Sequence, residues 1–188
     1  NIARMIGLKA GLPNEVPAVT VNRFCASGLQ TIAQAAAQVK IGEADAIIAG
    51  GVESMSMVPM GGMNPSMDAD LFNENPEAYI SMGHTAERVA ERFNVSREEM
   101  DQYAMDSHMK AVKAIEAGVF KDEIVPVMAR QFVDGKIEYT TFDTDECPRA
   151  DTKLEVLAKL RPVFRKTGIV TAGNSSPTND GAAAVVVM

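Results

Sequence analysis

Hydrophobic and polar positions alternate in two rhythms along the first third of the chain. Residues 2–10 read as a helix. Residues 16–21 are a short β-branched run beginning around Pro17, which predicts a strand over 18–21. Leu29, Ile32, Ala33, Ala36 and Val39 recur at helical spacing, so a helix is expected over 28–41. A further apolar run predicts a strand over 44–49. Strand, helix and strand in succession favour a mainly parallel sheet covered by helices, an α/β arrangement.

The rhythm then breaks. Residues 55–78 mix Met, Gly, Pro, Asn and acidic residues without sustained periodicity, which reads as a long ordered loop or lid. Helical signals resume at Thr85 in a short amphipathic segment reaching Phe93. Ser96-Arg97-Glu98-Glu99 has the form of a capping box and opens a helix expected to run to about Ala117, with Gly118 as its stop. Residues 123–127 and 136–141 look like short strands. Thr152-Lys153-Leu154-Glu155 repeats the capping-box pattern before a helix expected to end near Arg161-Pro162. Strands are expected again at 169–171 and 182–188, and no internal repeat is visible.

Composition narrows the class. In 188 residues, 46% hydrophobic content suffices for a real core, and no apolar run approaches the roughly 20 residues that span a bilayer as a helix. The two cysteines make no disulfide framework, which points to a reducing, soluble compartment. A net charge of −7 argues against nucleic acid or an anionic membrane surface as the main partner. The chain opens on Asn1 and stops at Met188 within an apolar run, so it is expected to be a fragment.

Cys25 is the leading candidate for chemistry. It lies where the predicted strand hands over to the helix, and unpaired N–H groups at a helix N-terminus favour an anion there. A sulfur so placed attacks carbonyl carbon readily. On position alone Cys25 reads equally well as a small buried residue.

Wider stretches of sequence decide between these. Val21-Asn22-Arg23-Phe24-Cys25-Ala26-Ser27-Gly28-Leu29-Gln30 resembles the segment that holds the acyl-accepting cysteine of the thiolase family. Gly50-Gly51-Val52-Glu53-Ser54-Met55-Ser56 resembles that family's next signature. Ser81-Met82-Gly83-His84-Thr85-Ala86-Glu87 is similar to the start of a helix in its inserted loop domain. Gly173-Asn174-Ser175-Ser176-Pro177-Thr178-Asn179-Asp180-Gly181 is similar to the return into its core, with Leu160-Arg161-Pro162 in place before it. The wording is nearest to the 3-ketoacyl-CoA thiolases of β-oxidation.

The resemblance implies a layered α-β-α-β-α fold in the intact enzyme. This chain would supply an incomplete N-terminal core half with an inserted α+β loop domain: core over 1–55, loop domain over 56–178, return strand over 179–188, and no C-terminal domain. It implies thiolytic acyl transfer between 3-ketoacyl-CoA and coenzyme A through a thioester on Cys25, with no cofactor and no metal, coenzyme A being a substrate. The activating histidine, the second cysteine and the oxyanion-hole asparagine would lie in the other half, so the fragment alone is expected to be inactive. Alternatives are a biosynthetic acetoacetyl-CoA thiolase and a non-catalytic thiolase-like acyl or lipid carrier.

The same resemblance places Met82 beside the acyl end of the substrate, His84 along the pocket, Arg149 at the adenine and phosphate end, Ala172 along the pantetheine arm and Ser176 in hydrogen bonding to that arm. Pro177 departs from the glycine common among relatives. Six basic residues, Arg149, Lys153, Lys159, Arg161, Arg165 and Lys166, stand between 149 and 166 against Asp151 and Glu155. They read either as a coenzyme A-binding stretch or as a solvated face. His108 is expected to be a solvated surface residue and Cys147 an unreactive loop thiol. Met55, Met57, Met60, Met63 and Met67 suit an acyl pocket or packing under a lid or between subunits. Partners implied are coenzyme A and acyl-CoA thioesters, further copies of the chain in a homodimer or homotetramer, and a β-oxidation multienzyme partner. A bacterial-like cytoplasmic location is expected, with an organelle left open.

Overall fold

All 188 residues are described by the computed structural model. In chain order they form α1 (Ile2–Lys9), α2 (Ser27–Lys40), β1 (Ile47–Ser54), α3 (Ala69–Glu74), a 3-10 turn (Pro76–Tyr79), α4 (Met82–Phe93), α5 (Arg97–Glu116), β2 (Val127–Val133), β3 (Lys136–Phe142), α6 (Leu154–Leu157) and β4 (Asp180–Val187). They divide into two units, Asn1–Pro65 with Thr178–Met188, and Ser66–Pro177.

The first unit is built on a two-stranded sheet whose β1 and β4 run antiparallel, Ile47 opposite Val187 through Ser54 opposite Asp180. The expected parallel pairing is therefore corrected. The chain leaves β1 at Ser54 and re-enters β4 opposite that same residue, so the return strand must point the other way. Ser56 closes this end: its N–H donates to Asp180 Oδ1 at 2.9 Å and its hydroxyl donates to Oδ2. The helix α2 lies on β1, and the small residues Ala35 and Ala49 are buried there. Of the two glycines in β1, Gly50 faces the partner strand β4 and Gly51 faces α2. A Cβ at Gly50 would stand 2.9 Å from the Ala183 carbonyl oxygen, and one at Gly51 would meet Gly28 Cα at 3.6 Å. Gly50-Gly51 thus lies inside β1, which starts three residues after the expected 44 and extends to Ser54.

No strand forms over 18–21. The segment is without ladder partners and bonds to the start of α1: the N-cap Asn1 Nδ2 donates to Ala18 O at 2.8 Å and Ala3 N–H to Thr20 Oγ1 at 3.0 Å, while Arg4 holds the preceding carbonyls of Val16 and Asn14. β-branching favours extended backbone, but only pairing makes a strand.

In the second unit the Ser96 capping box forms as expected. Ser96 N–H donates to Glu99 Oε2 at 2.8 Å and Glu99 N–H donates to Ser96 Oγ at 3.2 Å. The second box does not form. Thr152 Oγ1 donates to Arg149 O at 2.9 Å instead, Lys153 becomes the N-cap, and α6 is only 4 residues long. Within 55–78, Asp68 caps α3 by accepting from Leu71 N–H at 2.8 Å, so part of the expected loop is helical. The first hairpin strand lies at Val127–Val133 rather than 123–127. Asp134 and Gly135, at φ +49° and +80°, make the two-residue turn into β3 that a tight hairpin requires. Residues 169–171 contribute a single bridge, Pro162 to Thr171.

Candidate active site

Within this chain Cys25 is exposed and takes no part in its core. Each polar residue around it helps to shape the turn that presents it. Asn22 Oδ1 accepts from Phe24 N–H at 2.9 Å, an Asx turn. Ser27 Oγ accepts from Arg23 N–H at 2.8 Å and donates to Phe24 O at 2.7 Å. Arg23 Nη1 then reaches Gln30 Oε1 at 2.7 Å and ties the turn to α2. Held from both sides, Phe24 adopts φ +48°, a left-handed conformation that a bulky residue keeps only when its surroundings impose it. The thiol that follows stands just before α2. The N-cap residue Ala26 offers no side-chain cap, and although Ser27 N–H is taken by Phe24 O at 3.0 Å, the amides that follow it in the first turn have no side-chain acceptor at the cap.

The other five predicted residues belong to the second unit. Met82 opens α4 and is exposed. His84 is held by Ser81 Oγ, 2.9 Å from its Nδ1, and by the edge of the Phe164 ring, centroids 6.0 Å apart. Phe164 also fills the space over Gly83, where a Cβ would come within 2.3 Å of the ring. Ala172 and Ser176 are exposed on the loop that follows. No hydrogen bond, ion pair or ring contact joins any two of Met82, His84, Arg149, Ala172 and Ser176. All but Arg149 stand on segments that a shared frame ties together.

That frame is a buried polar clamp absent from the sequence-based expectations. Glu87, only 2% exposed, accepts from Ile169 N–H with both carboxylate oxygens, at 3.1 and 3.0 Å, and from Val170 N–H at 2.9 Å. Asp101, 4% exposed, accepts from Arg97 Nε at 2.7 Å and from Asn174 Nδ2 at 2.9 Å. Asn174 Oδ1 takes Thr171 N–H at 2.8 Å, and Arg97 reaches the carbonyls of Leu157 and Leu160 at 2.6 and 3.1 Å. Burying such groups costs free energy unless all are satisfied, and all are. The one trace of the clamp in the sequence is the i,i+4 pair of Arg97 and Asp101; the burial of Glu87 shows only in the structure.

Arg149 is anchored separately. Its N–H donates to His108 Nδ1 at 3.1 Å, and its guanidinium spans both oxygens of Asp151 at 3.3 Å each. That pairing raises the Arg149 pKa and lowers that of Asp151, chiefly through the hydrogen bonds and then through charge. His108 is half-buried, not the solvated surface residue expected. Within the basic stretch, Arg165 pairs with Glu91 as Arg149 does with Asp151. Met57, Met60 and Met63 stand at least 75% exposed, so within this chain they line no pocket. A depression of about 430 Å³ bordered by Phe93, Asn94, Tyr103 and Asn174 contains none of the predicted residues. No helix is long and apolar enough to cross a membrane.

Comparison with known proteins shows the family. The family model "Thiolase, N-terminal domain" matches residues 1–188. A 3-ketoacyl-CoA thiolase of Bacillus subtilis is 51% identical over 201 residues, covering 100% of this chain and 49% of that protein. An acetyl-CoA acetyltransferase of Pseudomonas aeruginosa is 45% identical, covering 100% and 50%. The crystal structure of the dimeric peroxisomal thiolase of Saccharomyces cerevisiae superposes with a TM-score of 0.83 at 38% identity, covering 97% of this chain and 46% of that one. The chain spans about half the length of the curated relatives it matches. With the family's model matched from end to end, the chain belongs to the thiolase family and carries its N-terminal domain.

Proposed function

We propose that this chain is the nucleophile-bearing half of a 3-ketoacyl-CoA thiolase. The observation that supports the reading best is the turn at Asn22–Ser27, which holds an exposed Cys25 in front of an uncapped helix start. The sulfur attacks the 3-keto carbon and the bond between C2 and C3 breaks. Acetyl-CoA leaves as an enolate that takes up a proton, and the shortened acyl group stays on Cys25 as a thioester. Coenzyme A then attacks that thioester, its thiol proton passing to a base, and Cys25 is released. Two modest barriers replace one high one.

The proton transfers and the stabilisation of the enolate oxygen need donors aimed from outside this chain: a histidine, a second cysteine and an oxyanion-hole asparagine in the remaining half. Met82, His84, Ala172 and Ser176 are assigned to the acyl and pantetheine portions of the substrate and Arg149 to its phosphate end, with residues 56–178 acting as the loop domain. No resident cofactor or metal is needed for thioester exchange. A homodimer is the assembly proposed for the intact protein, by analogy with the dimeric yeast thiolase. A homotetramer and docking to a β-oxidation multienzyme partner are further extensions, and a cytoplasmic setting follows the bacterial relatives.

The test is thiolysis of 3-ketoacyl-CoA by the intact protein. Cys25→Ser is expected to lower kcat on the order of a thousandfold or more, whereas unchanged turnover would end the proposal. The acetyltransferase relative favours a second reading, biosynthetic condensation of acetyl-CoA. A chain-length series separates the two: efficient condensation of acetyl-CoA with refusal of long 3-ketoacyl-CoA would select the second.

A further inference from the structure

Arg149 is held through its backbone N–H, its carbonyl and its guanidinium. Its N–H goes to His108 Nδ1 at 3.1 Å, its carbonyl accepts from Thr152 Oγ1 at 2.9 Å, and its guanidinium meets Asp151 at 3.3 Å. These restraints differ in kind. The ion pair is long, and its side chains are 68% and 74% exposed, so an arriving phosphate can displace Asp151 at small cost. Thr152 lies three residues away and restrains only the local turn. His108 is the long-range restraint, 41 residues distant in sequence and set within the 20-residue helix α5, whose start is fixed by the Ser96 capping box. A backbone N–H can only donate, so Nδ1 accepts and the ring proton sits on Nε2.

We propose that His108 is a positioning residue for coenzyme A binding, fixing the backbone of Arg149 so that its guanidinium is presented to the adenosine phosphates while Asp151 holds the side chain extended until the ligand arrives. The proposal rests on the assignment of Arg149 to the phosphate end of the substrate. It adds a residue that reaches the ligand only through another.

The test is steady-state thiolysis by the intact protein with two thiol acceptors, coenzyme A and pantetheine, the latter lacking the adenosine phosphates. One hydrogen bond is at stake, so His108→Leu is expected to raise KM for coenzyme A about threefold to tenfold, with kcat and KM for pantetheine unchanged. Asparagine places its amide oxygen close to the position of Nδ1, whereas glutamine places it near Nε2. His108→Asn should therefore stay within about twofold of the parent. His108→Gln should behave like the leucine variant, which keeps the test alive if leucine impairs folding. In an Arg149→Ala background, His108→Leu should add nothing further. An equal rise in KM for both thiols, or additive effects of the two substitutions, would overturn the proposal by showing a general structural role. So would an unchanged KM for coenzyme A in both His108→Leu and His108→Gln when Arg149→Ala raises it. If Arg149→Ala itself leaves that KM unchanged, the assignment of Arg149 fails and the role of His108 falls with it.

Discussion

Replacing Glu87 by alanine removes the acceptors of two backbone N–H groups, those of Ile169 and Val170. A buried donor left unsatisfied costs about 1–3 kcal/mol. Val170 is 3% exposed and bears the full cost, whereas Ile169 is half-buried and water can partly replace the carboxylate. The expected loss is therefore about 2–4 kcal/mol. Glu87→Gln keeps one acceptor oxygen for one donor but turns an NH₂ group towards the other, so a smaller loss of about 1–2 kcal/mol follows. A contrast is available on the same helix. Glu91 pairs with Arg165 at the surface with its side chain 62% exposed, and Glu91→Ala should cost about 0.5 kcal/mol or less. Urea unfolding of the intact protein gives the ranking, and amide hydrogen exchange at Ile169 and Val170 locates the effect. Equal midpoints for Glu87→Ala and Glu91→Ala, with protection of those two amides unchanged, would refute the clamp.

Other consequences follow from single distances. A Cβ at Gly168 would lie 2.1 Å from Glu87 Oε1, so Gly168→Ala should destabilise the protein and expose the same two amides, while Gly181→Ala, with nothing within 4 Å of its Cβ position, should stay near the parent in the same unfolding assay. The Asp180 carboxyl is held below its ordinary value by Ser56, whose side chain and backbone N–H both donate to it. Because the folded-state value is depressed, its contribution is fully present above the ordinary carboxylate pKa and is lost as pH falls through the lowered one. Ser56→Ala should raise the Asp180 titration midpoint, read by carbon NMR of its carboxyl, and an unmoved midpoint would contradict the assigned partner.

How far the fold was readable depended on whether its cause was local. The α5 helix was legible because Ser96 and Glu99 satisfy each other within four residues. The four motif words were legible as resemblance, and the structure supplies a physical reason for two of them. Asn22, Arg23, Ser27 and Gln30 build the turn around Cys25, and Gly50 leaves room for the Ala183 carbonyl of β4. Non-local facts were not readable. Residues 18–21 look like a strand but bond to α1, and the antiparallel return of β4 is set by Ser54 and Asp180, 126 positions apart. Thr152 matched a capping pattern, yet its hydroxyl found Arg149 O first. Glu87 and Asp101 were missed because a carboxylate on a helix reads as solvent-facing until the amides that reach it from residues 169–174 are known.

The central claim is that Cys25 carries the acyl group between the two half-reactions. The most direct measurement is an acid quench of the intact protein within the first turnovers on a 3-ketoacyl-CoA, followed by peptide mass mapping. A thioester adduct with the mass of the shortened acyl group on the peptide containing Cys25, discharged by added coenzyme A and missing in Cys25→Ser, is the predicted result. An acyl group found on another residue, or full turnover with no adduct in the wild type and undiminished rates in the serine variant, would contradict it.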